Sequence, residues 1–119
     1  METVKCRLVS VRLVNGNGPH EGRVEVYSNG LWGTICGYEW RIQEASVICR
    51  QLGYPSASKA WGGAHFGRST GPILLGDIYC DGEEPSIAFC DHHGWFKHDC
   101  YRNDEVGVTC SNATSEPGE

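Results

Sequence analysis

The sequence predicts an α+β domain, one helix among several short strands, with disulfides tying the parts together. Three observations point there: short runs alternate apolar and polar residues, one run repeats its apolar residues at the helical period, and seven cysteines fall within 119 residues. Sixteen glycines and a hydrophobic content of 39% predict frequent turns and a modest core. Such a core benefits from covalent cross-links, and this cysteine density is typical of oxidising compartments outside the cytosol. The odd count leaves one thiol over, or pairing outside the chain.

The elements follow in order. Val9–Leu13 alternates and reads as a strand, broken by Asn15-Gly-Asn-Gly-Pro19. Arg23–Tyr27 alternates again, and Ser28-Asn29-Gly30 leads into Leu31–Cys36, a hairpin signal. Between Gln43 and Gly53 the period changes. Ala45, Ile48, Cys49 and Leu52 fall on one face of a helix over about residues 43–53, which turns Cys49 into the core. Glu44 in its first turn and Arg50 near its end suit the helix dipole, and Gly53 and Pro55 end it. Pro55–Gly71 reads as loop with short extended pieces, and Ile73–Cys80 as a mostly buried strand. Pro85–Cys90 reads as a single helical turn and Val106–Cys110 as a closing strand. The domain is set at residues 11–110, with a lead-in over 1–10 and a linker-like tail over 111–119 rich in Ser, Thr, Gly and Glu. Cys80, Cys90, Cys100 and Cys110 are evenly spaced, but the residues between them do not repeat.

Ten basic against fifteen acidic residues, a net charge of −5, exclude a nucleic-acid binder, which needs a basic footprint. No run has the length of a membrane span. Met1–Cys6 lacks the apolar stretch of a signal peptide, so the chain reads as a piece of a larger exported protein. His92, His93 and His98 cluster with Cys90 and Cys100, but without the short cysteine knuckle of a structural zinc site. No cysteine or serine motif pairs a nucleophile with a base, so the chain reads as non-catalytic. Asp77, Asp81, Asp91, Asp99, Asp104 and Glu105 crowd the C-terminal half, either as a hard-cation site or as a solvated acidic face. Asn112-Ala-Thr114 is a glycosylation sequon. Trp32 and Trp40 read as packing residues, and Trp95, in a polar loop beside Gly94, as an exposed one.

Glu21-Gly-Arg-Val-Glu-Val-Tyr27, Trp32-Gly-Thr-Ile-Cys36 and Ala45-Ser-Val-Ile-Cys-Arg-Gln-Leu-Gly-Tyr54 resemble the scavenger receptor cysteine-rich family. So do Gly71–Leu74 with Asp77 and Cys80, Gly94-Trp95, and Val106–Cys110. The eight-cysteine group of that family has two further cysteines where this chain carries Pro19 or His20 and Tyr54, so the resemblance is to the six-cysteine group A. It implies a curved antiparallel sheet cradling one main helix, and the pairs Cys36–Cys100, Cys49–Cys110 and Cys80–Cys90. The residues alone leave that pairing open. Cys6 falls outside the pattern, either free or paired with another domain or chain.

The resemblance further implies an extracellular recognition module, of a receptor or a secreted mosaic protein, for proteins, microbial surfaces or polyanions, often with Ca2+. The alternative is a non-catalytic accessory domain that positions a secreted protease or oxidase. The family's Asp pair after the hairpin cysteine, and its Asp after the next Trp, are replaced by Gly37, Tyr38 and Arg41. The reduced cation set is Asp77, Asp99, Asp104 and Glu105. Partner contacts are expected around Trp95 and Lys97, and at Arg41 and Arg102. Polyanion binding through Arg7, Arg12, Arg23, Arg41, Arg50, Arg68 and Arg102 ranks second because the chain is net acidic.

Overall fold

Strand β2 (Glu21–Ser28) organises the sheet. Its alternation is strict: Val24 and Val26 are fully buried in the core, while Arg23, Glu25 and Tyr27 face the other side. The computed structural model describes residues 9–28, 30–37, 40–76, 78–92 and 104–112. Along one edge β2 pairs antiparallel with β1 (Val11–Asn15), Glu25 opposite Arg12. Along the other edge it meets two partners. Its first residues pair with β6 (Gly107–Ser111) and its last with β3 (Leu31–Cys36), both antiparallel. Into that fork runs Asp104–Val106. Val24 N–H donates to Val106 O and Val106 N–H to Ile35 O, both at 3.0 Å, and Gly37 N–H donates to Asp104 O at 3.1 Å. The fork curves the sheet into a half-barrel around the core.

The β2–β3 hairpin is as tight as its sequence predicts. Ser28 pairs with Leu31, and Gly30 has φ +86°, a conformation an L side chain resists. One pairing differs from the all-antiparallel sheet expected. β5 (Ile73–Gly76) runs parallel to β3, so the sheet is mixed, in the order β4-β6-β2-β3-β5. A parallel neighbour needs a long crossover, and the connection from β3 to β5 is long enough to contain α1 and β4. Alternation carries no information about strand direction. β5 can lie close because position 33 is glycine, where a Cβ would come within 2.5 Å of Leu74 Cγ.

Helix α1 (Ile42–Gln51) stops two residues short of the predicted end, with Gly53 at φ +96° behind it. It packs on β4 and β6, and the predicted face is the buried one: Ala45, Ile48 and Cys49 are wholly inaccessible and Leu52 packs against the core. Two further buried positions, Glu44 and Val47, widen that face. The stretch expected to be mainly loop contains a six-residue strand, β4 (Ser56–Trp61), paired with β6 across a bulge between Ala57 and Lys59. That bulge and the small residues Ser56, Ala57 and Ser58 hide its alternation. The strand expected over Ile73–Cys80 ends at Gly76, and β1 starts at Val11 rather than Val9. A 3-10 turn over Ile87–Phe89 fills the predicted helical turn.

Two bridges are formed as the resemblance implies. Cys49–Cys110 joins α1 to β6 across 61 residues, and Cys80–Cys90 closes a loop of separation 10. Cys36 is disulfide-bonded as well; its expected partner, Cys100, lies outside the described residues.

Candidate functional site

The face of β2 turned away from the core carries a polar network built by cross-strand register. Arg12 lies opposite Glu25 and donates to its Oε1 from Nε at 2.9 Å and from Nη2 at 2.7 Å. Arg23, two residues along the same face, donates from Nε to Glu25 Oε2 at 3.2 Å. A single buried carboxylate thus holds two guanidinium groups. Arg23 also ties down the loop after β4, donating to Gly67 O at 3.2 Å. Beside the pair, Arg12 lies 4.1 Å from the centre of the Trp32 ring, which meets Tyr27 edge-on at 5.2 Å.

From the fork, Glu105 reaches Thr34, the β3 residue opposite Glu25. It is 1% exposed. Its Oε2 accepts from Thr34 Oγ1 at 3.1 Å and from Ser69 Oγ at 3.3 Å, and its Oε1 accepts from Ser69 N–H at 2.8 Å. The carboxylate therefore clips the Gly62–Gly71 loop to β3. Further along that loop, His65 stacks on Trp61 at 3.7 Å with ring planes 10° apart, and Trp61 Nε1 donates to Thr109 Oγ1 at 2.9 Å.

A second cluster lies at the start of α1. Glu44 is fully buried. Its Oε1 accepts from the Arg41 backbone N–H at 2.9 Å and from Arg41 Nε at 3.1 Å, and its Oε2 accepts from Arg41 Nη2 and from the Cys80 N–H, the latter at 2.8 Å. Arg41 Nη2 also donates to Cys80 O at 2.8 Å. Both backbone polar groups of buried Cys80 are thus satisfied by one ion pair. Arg41 lies over the Tyr79 ring at 4.3 Å, and Arg50 donates to Gly82 O and Glu84 O. The Glu84 carboxyl is held below its usual range: burial works against the charge, but the backbone N–H groups of Asp81 and Gly82 outweigh it.

The predicted site residues separate accordingly. Arg41 is committed to Glu44 and Cys80. Glu105 is turned inward, and neighbouring Asp104 is half-buried. Asp77, Trp95, Lys97, Asp99, Arg102 and Cys6 lie outside the described residues, whereas Asn112 is described and exposed. Cys80, Glu84 and Cys90 bring three ligand-type atoms together, but the two sulfurs are bonded to each other and are not thiolate ligands. Sequence reasoning placed Glu44 only as a favourable first-turn charge. Its spacing of three from Arg41 was the available signal of a helix-start pair. Glu25 carried no such signal, because only the register of β1 against β2 brings Arg12 to it.

Comparison with known proteins gives one consistent match. The model of the scavenger receptor cysteine-rich domain matches residues 14–111. The galectin-3-binding protein of Mesocricetus auratus is 48% identical over 104 residues, covering 87% of this chain and 18% of that protein; the Bos taurus protein of that name is 45% identical over 104 residues, with 87% and 19% covered. The chain thus spans about a fifth of the length of these relatives. Among solved structures, the third SRCR domain of murine neurotrypsin superposes with a TM-score of 0.77 at 41% identity, covering 90% of this chain and 99% of that one. The dimeric form of the SRCR domain of mouse MARCO superposes with a TM-score of 0.71 at 40% identity, covering 85% and 94%.

Proposed function

The chain belongs to the scavenger receptor cysteine-rich family, and from that premise we propose that it is a non-catalytic, extracellular recognition module within a larger protein. The observation that carries this reading is the stapled scaffold itself. One bridge pins the helix to a sheet whose polar groups are tied internally and another closes the 80–90 loop, so loops are presented with little freedom left to lose on binding. Disulfides at buried core positions also favour an exported location. The six-cysteine subtype fits the local geometry. His20 O accepts from Cys110 N–H at 2.7 Å and Tyr54 N–H donates to Cys49 O at 2.9 Å. The resemblance places the two further cysteines of the eight-cysteine group at Pro19 or His20 and at Tyr54, and of these His20 and Tyr54 flank the Cys49–Cys110 bridge.

The ligand is a protein or a microbial or polyanionic surface, with Ca2+ assistance through the acidic set Asp77, Asp99, Asp104 and Glu105. Galectin-3 is the first protein to try, since two relatives are named for binding it. Asn112 is proposed as a glycan site on an exposed strand end. The alternative role, an accessory domain that positions a secreted protease or oxidase on its substrate, draws on the small share of its relatives that this chain spans.

The test is surface-plasmon binding of the oxidised, secreted chain to galectin-3, to heparin and to whole bacteria, with and without Ca2+, followed by calorimetric Ca2+ titration of wild type and Asp104→Ala. Saturable binding lost on reduction supports the module. Absence of heat up to millimolar Ca2+ removes the cation, and absence of binding to all three surfaces removes the reading.

A further inference from the structure

The Cys80–Cys90 bridge is one rung of a short two-stranded ladder. The next rung is Tyr79–Asp91, closed by Tyr79 N–H to Asp91 O and Asp91 N–H to Tyr79 O, both at 2.9 Å. At this single antiparallel bridge, burial divides the side chains. The two half-cystines face the core, 2% and 4% exposed, whereas Tyr79, Asp81, Phe89 and Asp91 are all exposed. Tyr79 is 54% and Phe89 45% accessible, and Ile42, next to the Arg41 that lies over Tyr79, is 44% accessible. Three of the five large apolar side chains exposed among the described residues therefore belong to this side of the domain.

Its rim is acidic. Asp81, Glu83 and Asp91 are exposed and Glu84 is half-buried, with no Lys or Arg between positions 78 and 92. Among the described residues, the cations that reach this segment are already engaged, Arg41 by Glu44 and Arg50 by the carbonyls of Gly82 and Glu84. Of these two, Arg41 is neutralised by its partner. A polyanion or an anionic membrane would be repelled here, and a purely apolar partner would leave the carboxylates desolvated.

We propose that this face binds a basic segment of a partner protein, its apolar residues on Tyr79, Phe89 and Ile42 and its Lys or Arg side chains on Asp81, Glu83 and Asp91. The proposal rests on the recognition-module reading and names the kind of partner that module takes. The bridge below the ladder, and the grip of Glu44 and Arg41 on Cys80, hold the face ready, so little ordering cost accompanies binding.

The experiment is a two-dimensional NMR titration of the isotope-labelled oxidised chain with a short peptide alternating Lys and Leu, compared with one alternating Glu and Leu. The Lys–Leu peptide is expected to shift amides of residues 78–92 and Ile42, in a salt-sensitive way. Asp81→Asn with Asp91→Asn should weaken it about ten-fold, and Tyr79→Ala by a similar factor. The amide dispersion of each variant reports whether it still folds, and the two sets of variants need not fail together. Equal binding of the Glu–Leu peptide, shifts confined to other surfaces, or unchanged affinity in the Asp81→Asn, Asp91→Asn chain would each overturn the proposal. Should the Lys–Leu peptide miss this face while galectin-3, heparin or bacteria still bind, only the assignment of the face falls. Should nothing bind, the module reading falls with it.

Discussion

Removing Glu44 should cost this domain more than any other single carboxylate at the helix start. Glu44→Ala deletes a fully buried acceptor of four hydrogen bonds, three from Arg41 and one from the Cys80 N–H. It leaves the Arg41 guanidinium, its side chain 31% exposed, donating to Cys80 O without its anionic partner. Breaking a buried pair by removing one partner costs about 3–5 kcal/mol. Because Arg41 can turn part-way to solvent, the lower end applies, about 3 kcal/mol. With a urea slope of about 1.5 kcal/mol/M, the midpoint falls by about 2 M, and Tm by about 15 °C. The assay is urea unfolding under non-reducing conditions, followed by tryptophan fluorescence. Arg41→Ala should also destabilise strongly, because it strands the buried carboxylate. The double variant should cost less than the sum of the two by at least about 1 kcal/mol. A Glu44→Ala effect below about 1 kcal/mol, or strict additivity, would refute the view that this pair is a structural clamp.

Three further outcomes follow from the same geometry. In the chain-entropy model, removing Cys49–Cys110, separation 61, should cost about 4 kcal/mol, and removing Cys80–Cys90, separation 10, about 3 kcal/mol; thermal unfolding of the paired Cys→Ala variants checks that order. Glu105→Ala leaves Thr34 and Ser69 without their acceptor and should cost about 2–3 kcal/mol. It should also speed trypsin cleavage after Arg68, and an unchanged cleavage rate would mean that the loop is held by something else. Glu21 is kept below its ordinary pKa chiefly by the Thr109 hydroxyl and then by the Asn17 N–H, and Glu84 by the backbone amides around it. Their depressed values stabilise the fold above the unfolded-state carboxylate range, and that contribution is lost as the pH falls through the folded values. Urea midpoints measured from neutral to acid pH should therefore decline less steeply in Glu21→Gln with Glu84→Gln than in wild type.

Where one strand or helix presents its own apolar face, the sequence is legible: Val24 and Val26 in β2, Ala45, Ile48 and Cys49 in α1, as is the turn at Gly30 between Ser28 and Leu31. These signals are local and periodic. What was not legible depends on partners far along the chain. β4 is held by pairing with β6 and carries small residues that bury little by themselves. The direction of β5 follows from the path of the crossover, not from its own composition. Glu105 was expected among cation ligands because it stands beside Asp104 in an acidic stretch. Its carboxylate is drawn inward by Thr34 and by Ser69, residues 71 and 36 positions away. Charge read along a sequence cannot tell a solvated carboxylate from one recruited by distant donors.

The arginines decide what kind of surface remains. Arg12 and Arg23 share Glu25, Arg41 is held by Glu44, and Arg50 lies against backbone carbonyls, so four of the five described arginines serve the fold. Arg68, exposed on the loop after β4, is the exception. On the sheet face the two guanidinium groups are offset by Glu25, so a polyanion arriving there would have to displace an internal carboxylate bonded at 2.7–3.2 Å. On the 78–92 face Asp81, Glu83 and Asp91 stay exposed, while Arg50 sits on the carbonyls of Gly82 and Glu84 and Arg41 is paired with Glu44. Burial removes three carboxylates, Glu25, Glu44 and Glu105, and one guanidinium, Arg23, while Arg12 and Arg50 stay exposed. The surface that a partner meets is uneven, with Asp81, Glu83 and Asp91 exposed together along 78–92, which a net charge of −5 does not convey.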